Sequence, residues 1–445
     1  ERLILAAESV AATASLLGRP YPSWDVYPTW ELDEAWRELL AAQHHDNHEC
    51  EGLCGFVGYR QMSKARELAG EVIERTTGML KDRCGALTRF NGQGLRRSLL
   101  TMKDWDAATE HLRDVPAFGY SAADTRQKSK RVATVERTDE VLVLVRGAFR
   151  VEIDARLGQI RQVYSEQFPD GVLAAPFPQL RKRLGGRPWQ PPTVEEVTVN
   201  EDDGSVQIHF AMDSSAANDV AGMHEWIYIE LLDECEGVRI TVGPGLLGQP
   251  DAGLAAALRA TIKPSFAVDQ LAAEVAGAVD AVRGGGPARR KYPQCDWMTS
   301  YQWFEELDGS IVVQRWLDVR RADGEGLLVI GAGAQQFFRV ADVIDAVLSA
   351  YDPWDERRYD VDFEEVSLTL VPHGPLSDAK RTHLAVSAMP APTGALGPYL
   401  EMRNDAPAVG GGARPEDDPT PPIFGPLCVE SAPGVLAEAF YSESM

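Results

Sequence analysis

The hydrophobic period of this chain changes once, near Cys84, and that change restricts the fold more than any other feature of the sequence. Before it, apolar residues recur at helical spacing. Leu3, Leu5, Ala6, Val10 and Leu17 form an imperfect first stripe, closed by Gly18 and the Arg-Pro that follows it. Trp36, Leu39, Leu40 and Gln43 form a second stripe, facing a core from a helix expected over Glu31 to about His45. Met62, Ala65, Leu68, Ala69, Val72, Ile73, Thr76, Met79 and Leu80 predict a third helix of about six turns. After Cys84 the pattern alternates with period two: Phe149, Val151 and Ile153; Val206, Ile208 and Phe210; Val238, Ile240 and Val242; Val366, Leu368 and Leu370. Turn signals such as the EDDG ending at Gly204 separate these runs, as in antiparallel strands.

The expected fold class is therefore α+β, a three-helix bundle over residues 1–85 followed by a large antiparallel β-sandwich region over 86–445. A Gly-rich loop near 283–291 would split that region into two sub-domains. One helix is expected among the strands, from Leu254 to Ile262 or through Leu271 to Val282. Residues 405–422, rich in Gly, Pro and acid, read as a surface linker. Gly284 to Gly286 do not resemble a phosphate cradle, since no strand precedes them and no Lys-Ser or Lys-Thr follows.

Charge and composition then exclude several classes of function. The 67 Asp and Glu against 44 Lys and Arg leave a net charge of -23, which repels polyphosphate, so no nucleic-acid partner is expected. No apolar run reaches the length of a membrane span, and no secretory signal is present. The six scattered cysteines do not form a disulfide framework, and no Asn-x-Ser/Thr acceptor occurs. A reducing, cytoplasmic location is the expectation, with oligomeric state left open.

The second stripe runs into a knot of residues that can bind metal or move protons: His44, His45, Asp46, His48, Glu49 and Cys50. Acids at a helix C-terminus oppose its partial negative charge by about 0.3–1 kcal/mol each, so a positive group is wanted nearby. Histidine is mostly neutral at pH 7, whereas a divalent metal meets the demand, and imidazole with carboxylate suits zinc. An exposed helix end without function would carry the same residues. His44 and His48 could form an i, i+4 clamp, but His45 occupies the place of the glutamate in H-E-x-x-H. Cys50 and Cys54 lack a second Cys or His pair at matching distance. Trp297, Tyr301 and Trp303 could stack on a sugar or pack in a core, and Arg357 and Arg358 among acids suit a solvated loop.

AWRELLAAQHHDNHECEG, residues 35–52, resembles the helical-domain signature of glycoside hydrolase family 38, the α-mannosidases, in which a Trp- and Leu-bearing helix runs into Gln-His-His-Asp or Gln-Phe-His-Asp. The similarity continues in order. AESVAATASLLG resembles the preceding helix, LTRFNGQGLRRSLLTM the first strand after the bundle and VPAFGY the turn that closes it. GAFRVEIDARLGQIRQVYSE resembles a strand pair of the central β-domain, and PLCVESAPGVLAEAF a late strand.

That resemblance implies a retaining α-mannosidase acting on a mannose-containing glycan or mannoside. In the family one zinc ion (Zn2+) holds two hydroxyls of the sugar, an aspartate attacks the anomeric carbon, and a second carboxylate acts as acid and then base. By position His45 matches the zinc-ligand histidine, Asp46 matches the aspartate that contacts the sugar hydroxyls, and His44 is the variable neighbour. The remaining zinc ligands and the nucleophile lie in an N-terminal α/β barrel that nothing here matches. No catalytic residue is therefore expected in this chain, and the missing barrel, as a segment or a subunit, becomes an expected partner. The chain is expected to be a middle or C-terminal portion of such an enzyme. NHECEG stands where the family has a small and Gly-Ser or Gly-Thr run, which bears on substrate preference. The rival reading is a non-catalytic carbohydrate-binding or scaffolding protein that kept the bundle and sandwich and lost the barrel.

Overall fold

A computed structural model of the protein describes residues 1–16, 27–44, 54–84, 88–92, 97–101, 110–122, 127–128, 133–138, 140–183, 193–200, 204–210, 223–224, 226–232, 235–243, 245–247, 256–276, 278–282, 310–351, 361–363, 366–389 and 423–424. The chain divides into two compact units, Glu1–Lys130 with Pro390–Met445, and Arg131–Met389. The fold is α+β, as the change of hydrophobic period requires. Among the described residues no helix is long and apolar enough to cross a membrane.

In the first unit three helices pack together: α1, Arg2–Leu16; α2, Thr29–Ala42; and α3, Cys54–Cys84. Helix α1 is covered on almost every side, because Ala6, Ala7, Ala11, Ala12 and Ala14 let its neighbours approach closely. Ile4, Val10, Leu32, Ala35, Leu68, Val72, Ile73 and Leu80 form the shared core, joined by Phe90 from the strand Thr88–Asn91. Helix α3 is 31 residues long, more than its central apolar stripe alone predicts. The buried stripe of α2 also differs from expectation. It runs through Leu32, Ala35 and Ala42, with Trp36 and Leu39 packed against the core, whereas Leu40 is 62% exposed and Gln43 is exposed. At 100° per residue Leu40 lies off the line that the other five share. Leu17 and Gly18, where the first helix was expected to end, lie outside the described residues.

LTRFNGQGLRRSLLTM contributes two strands rather than one. Thr88–Asn91 pairs with Gly119–Ala122, whereas Arg97–Thr101 pairs with Glu110–Val115 in a separate sheet. Gly92 explains why a glycine follows the first strand: a Cβ there would stand 3.0 Å from the Ala6 Cβ of α1. The VPAFGY turn closes on itself, with the Gly119 N–H donating to the Pro116 carbonyl over 3.2 Å. Within it Phe118 is fully buried at φ 48°, an unfavourable backbone for a bulky residue. The Thr13 hydroxyl of α1 donates to the Phe118 carbonyl over 2.9 Å, and the Asn91 side chain donates to Pro116, which together hold the turn.

The second unit is built from antiparallel sheets around one core. Its nine-stranded sheet runs, in spatial order, Val194–Val199, Val206–Phe210, Trp226–Leu231, Val238–Val242, Val366–His373, Gly326–Ala332, Trp316–Arg320, Gln270–Val275 and Ala278–Ala281. A five-stranded sheet orders Gln179–Arg183, Ala256–Ile262, Val343–Tyr351, Gln336–Val340 and Ser310–Val312. A four-stranded meander from Thr134–Arg137 to Gln159–Tyr164 adds a third layer element. The inward residues of all three meet in a sandwich-like core, for example Val151 and Ile153, Ile208 and Ile240, Phe337 and Ile344. The strand pair expected within GAFRVEIDARLGQIRQVYSE is present, as Phe149–Asp154 against Gln159–Tyr164.

Strand Gly326–Ala332 is buried on both faces: Leu327 and Val329 point into the central core, Leu328 and Ile330 into an outer cluster with Trp316 and Val371. A fourth helix, α4 (Asp378–Ala388), supplies Ala385 and Ala388 to that outer cluster. Ser377 caps it, its hydroxyl accepting from the Lys380 N–H. The helix expected at Leu254 to Ile262 or Leu271 to Val282 is not formed. Ala256–Ile262, Gln270–Val275 and Ala278–Ala281 are strands. Alanine-rich runs favour helix locally, but here the first two are ladder partners of committed strands, Ala256–Ile262 of Val343–Tyr351 and Gln270–Val275 of Trp316–Arg320, and Ala278–Ala281 pairs in turn with Gln270–Val275. The segments 283–291 and 405–422, expected to be a break and a linker, lie outside the described residues, as does PLCVESAPGVLAEAF.

Candidate functional site at the end of the second helix

Helix α2 ends earlier than its sequence pattern predicts. Ala42 is its last residue, and the Gln43 N–H still donates to the Leu39 carbonyl over 3.0 Å. The His44 N–H then donates to the Ala41 carbonyl over 3.2 Å, an i to i−3 bond that tightens the final turn. His44 is exposed and stands past the helix end, and the partner of its possible i, i+4 clamp, His48, is not among the described residues. His45 and Asp46, the expected zinc ligand and sugar contact, follow at once and lie outside the described residues. So do His48, Glu49, Cys50, Trp297, Tyr301, Trp303, Arg357 and Arg358. Among the described residues no group of three or more His, Cys, Asp and Glu is placed to hold a metal ion. The chemistry of the α2 terminus fits a cation in one respect: the last carbonyls of a helix carry partial negative charge, and the next side chains are imidazole and carboxylate.

What the described residues supply is a fixed base for that terminus. The Trp36 indole Nε1 donates to Glu8 Oε1 of α1 over 2.7 Å, and the Tyr27 hydroxyl reaches the Glu8 carbonyl at 3.4 Å. On the side of α3, Lys64 Nζ bridges Glu34 at 2.9 Å and Glu38 at 2.5 Å, while Arg75 pairs with Glu31 at 3.5 Å. Helix α2 is thus held on two sides, by an indole clamp and by a line of ion pairs along one border. The ion pairs hold the Glu34 carboxyl below, and the Lys64 ammonium above, their ordinary ranges.

Glu8 differs from those acids, because burial pushes its carboxyl up and the Trp36 N–H only partly offsets this. A carboxyl raised on folding contributes stability that is present below its unfolded value and lost as pH rises through its folded value. Glu8→Gln keeps an acceptor for Trp36 and removes the charge. At pH 7 it is expected to stabilise the bundle by less than about 1 kcal/mol, since solvent screens a partly exposed carboxyl. The gain should vanish below about pH 4, where the glutamate is itself protonated. Thermal melts at both pH values check this, and an equal gain at both would show that charge is not its origin.

A second concentration of ionisable groups lies in the other unit and was not visible in the sequence. Asp318, fully buried, accepts from Arg381 Nε and stands 2.9 Å from His373 Nε2, with Arg320 Nε at 3.3 Å. Arg381 also donates to Asp378 over 2.6 Å, and His373 Nδ1 lies 2.6 Å from the Gly374 carbonyl. Each oxygen of the Asp318 carboxylate already has a partner, so the cluster is a fastening between α4 and the sheet and offers no position for a substrate. Its members are 55 and 63 residues apart along the chain, which is why no local motif announces them. Glu274 and Arg315 form a comparable two-toothed pair at 2.8 and 2.5 Å.

No protein-family model matches this sequence, and no curated protein matches it. Among solved structures the fold is similar to an α-mannosidase from Enterococcus faecalis V583, with a TM-score of 0.52 at 12% identity over 87% of this chain and 55% of that one. A protein of glycosyl hydrolase family 38 from Enterococcus faecalis aligns with a TM-score of 0.49 at 12% identity, over 87% of this chain and 57% of that one. At such identity the likeness is one of fold alone, in a chain that spans about half the length of the α-mannosidase it resembles.

Proposed function

We propose that this chain is a portion of a retaining, zinc-dependent α-mannosidase that hydrolyses terminal α-mannosyl linkages of glycans or mannosides. One observation carries the reading: Gln43, His44, His45 and Asp46 follow directly on the end of the middle helix of a bundle, in a chain whose fold resembles an α-mannosidase. In this reading His45 holds the zinc and Asp46 hydrogen-bonds sugar hydroxyls. Zinc, when bound, supplies orientation of the sugar and stabilisation of developing charge. Helix α2 itself contributes rigidity, since the Glu8–Trp36 bond and the Lys64 bridge hold the element from which both residues are displayed. The two carboxylates that a retaining mechanism needs about 5–5.5 Å apart are assigned to no residue of this chain and would come from the barrel segment or subunit.

The test uses the protein at its natural full length, supplied with zinc and an aryl α-mannoside. Proton NMR during the first turnovers should show release of α-mannose ahead of the β-anomer. Binding of mannosides without hydrolysis would overturn this reading in favour of the non-catalytic carbohydrate-binding alternative.

A further inference from the structure

We infer that the fastening of α4 to the nine-stranded sheet is a proton-dependent latch, in which His373 holds a proton on both ring nitrogens while the N-terminal end of α4 is docked; the inference is independent of the α-mannosidase reading. His373 is buried at the end of its strand, with Nδ1 2.6 Å from the Gly374 carbonyl and Nε2 2.9 Å from Asp318 Oδ1. A carbonyl and a carboxylate can only accept, so both contacts are hydrogen bonds only when the ring carries two N–H groups. A neutral imidazole has one and presents a lone pair at its other nitrogen. Oδ2 of Asp318 takes Arg381 and Arg320, which leaves the ring as the donor to Oδ1 among the described residues.

Charges of both signs surround the ring. Asp318 on strand Trp316–Arg320 and Asp378 on α4 attract its second proton, whereas Arg320 on that strand and Arg381 on α4 repel it. The intervening strand Gly326–Ala332 sets Gly326 opposite His373 and adds no charge there. When the ring gives up one proton, the Asp318 carboxylate keeps the other on Nε2. The Nδ1 lone pair then faces the Gly374 carbonyl, two acceptors in contact, and the Gly374 peptide relieves this by turning away. Gly374 lies three residues before Ser377, the cap of α4, so the movement passes into the first turn of the helix, where Arg381 is packed. The other end of α4 has its own hold: Arg239 donates to the Ala388 carbonyl and is paired with Glu230 at 2.7 Å. Proton loss thus frees one end of α4 while the other stays pinned, and loosens the cover over buried Trp316, whose indole donates to the Thr382 hydroxyl over 3.3 Å. Docked α4 holds one proton more than released α4, so docking weakens as pH rises, by at most about 10-fold in the opening constant per pH unit.

The experiment follows hydrogen–deuterium exchange of peptides covering residues 374–388, in the protein at its natural full length, between about pH 5 and 8, where histidine is the usual switch. His383 of α4 acts there with the opposite sign, since partial desolvation and the nearby Lys380 lower its pKa, and its contribution is lost as pH falls. His373 and His373→Gln are therefore compared in a His383→Gln background, and the comparison at each pH cancels the chemical rate of exchange. Glutamine keeps a donor for Asp318 and does not titrate. The opening constant of α4 should rise severalfold with pH when His373 is present and stay level in His373→Gln. Ring 15N signals of His373 should pass from two N–H groups to one over the same interval, a readout that holds even if His373→Gln fails to fold. An equal pH dependence in both proteins, a ring with a single N–H throughout, or ring proton loss that leaves α4 exchange unchanged would each overturn the inference.

Discussion

Replacing Asp318 by alanine is expected to destabilise the strand-rich unit by about 3–5 kcal/mol, the usual consequence of removing one partner from a buried ion pair. The carboxylate is fully buried, and it is the meeting point of Arg381 from α4, Arg320 from its own strand Trp316–Arg320 and His373 from Val366–His373, two strands along in the sheet. Arginine keeps its charge under all ordinary conditions, so without Asp318 the Arg381 guanidinium retains, among the described residues, Asp378 alone, whose side chain is largely exposed. The effect should concentrate on α4. That helix is otherwise held by the Trp316 indole, 3.3 Å from the Thr382 hydroxyl, and by Arg239, which donates to the Ala388 carbonyl over 2.5 Å. Denaturant unfolding measures the loss. A drop below about 1 kcal/mol would mean that water reaches the cluster. Arg381→Leu in the Asp318→Leu background should recover part of the stability, because a well-packed apolar pair no longer buries the Arg381 charge unpaired, although Arg320 loses its carboxylate.

On the proposed α-mannosidase reading, the protein at its natural full length binds one zinc, and replacing His45 by alanine is expected to remove it. Losing a residue that merely supports a metal ligand lowers affinity about 10–100-fold, and losing a direct donor should exceed about 100-fold. Metal analysis after dialysis against a weak chelator at pH 7 reads this out. His44→Ala is the proper comparison, since His44 is exposed and already past the last turn of α2. It should retain zinc. A protein that keeps its zinc after His45→Ala would sink the proposed site, and equal loss in both variants would mean that the terminus itself had been disturbed.

The resemblance and the periodicity were informative about different things. The switch from helical to alternating period matched the three bundle helices and the strands at Phe149–Asp154, Val206–Phe210, Val238–Val242 and Val366–His373, because core residues such as Ile73 or Val151 and Ile153 can face inward only if the backbone repeats with the pattern. It misjudged Leu40, which continues an apolar run without sharing its direction, and it missed α4. The sequence around Ser377 and Asp378 does hold a helix start, a serine cap followed by an acid in the first turn, but the short helix has few apolar residues to mark it. The residues expected to bind metal and sugar were named from the resemblance, and the helix from which they follow ends three residues before His45.

Local pattern by itself determined the fold class and the position of the His-Asp run after an amphipathic helix, since both depend on neighbours within a few residues. Tertiary structure alone decided three other matters. Ala256–Ile262 and Gln270–Val275 became strands, because ladder bonds to distant strands outweigh a helix preference of a few tenths of a kcal/mol per residue. Asp318, His373 and Arg381 became one fastening, because a buried carboxylate must find its donors wherever the chain returns. The face of α2 that carries Trp30 and Leu40 stayed open, because α1 and α3 cover only the opposite and flanking sides of that helix.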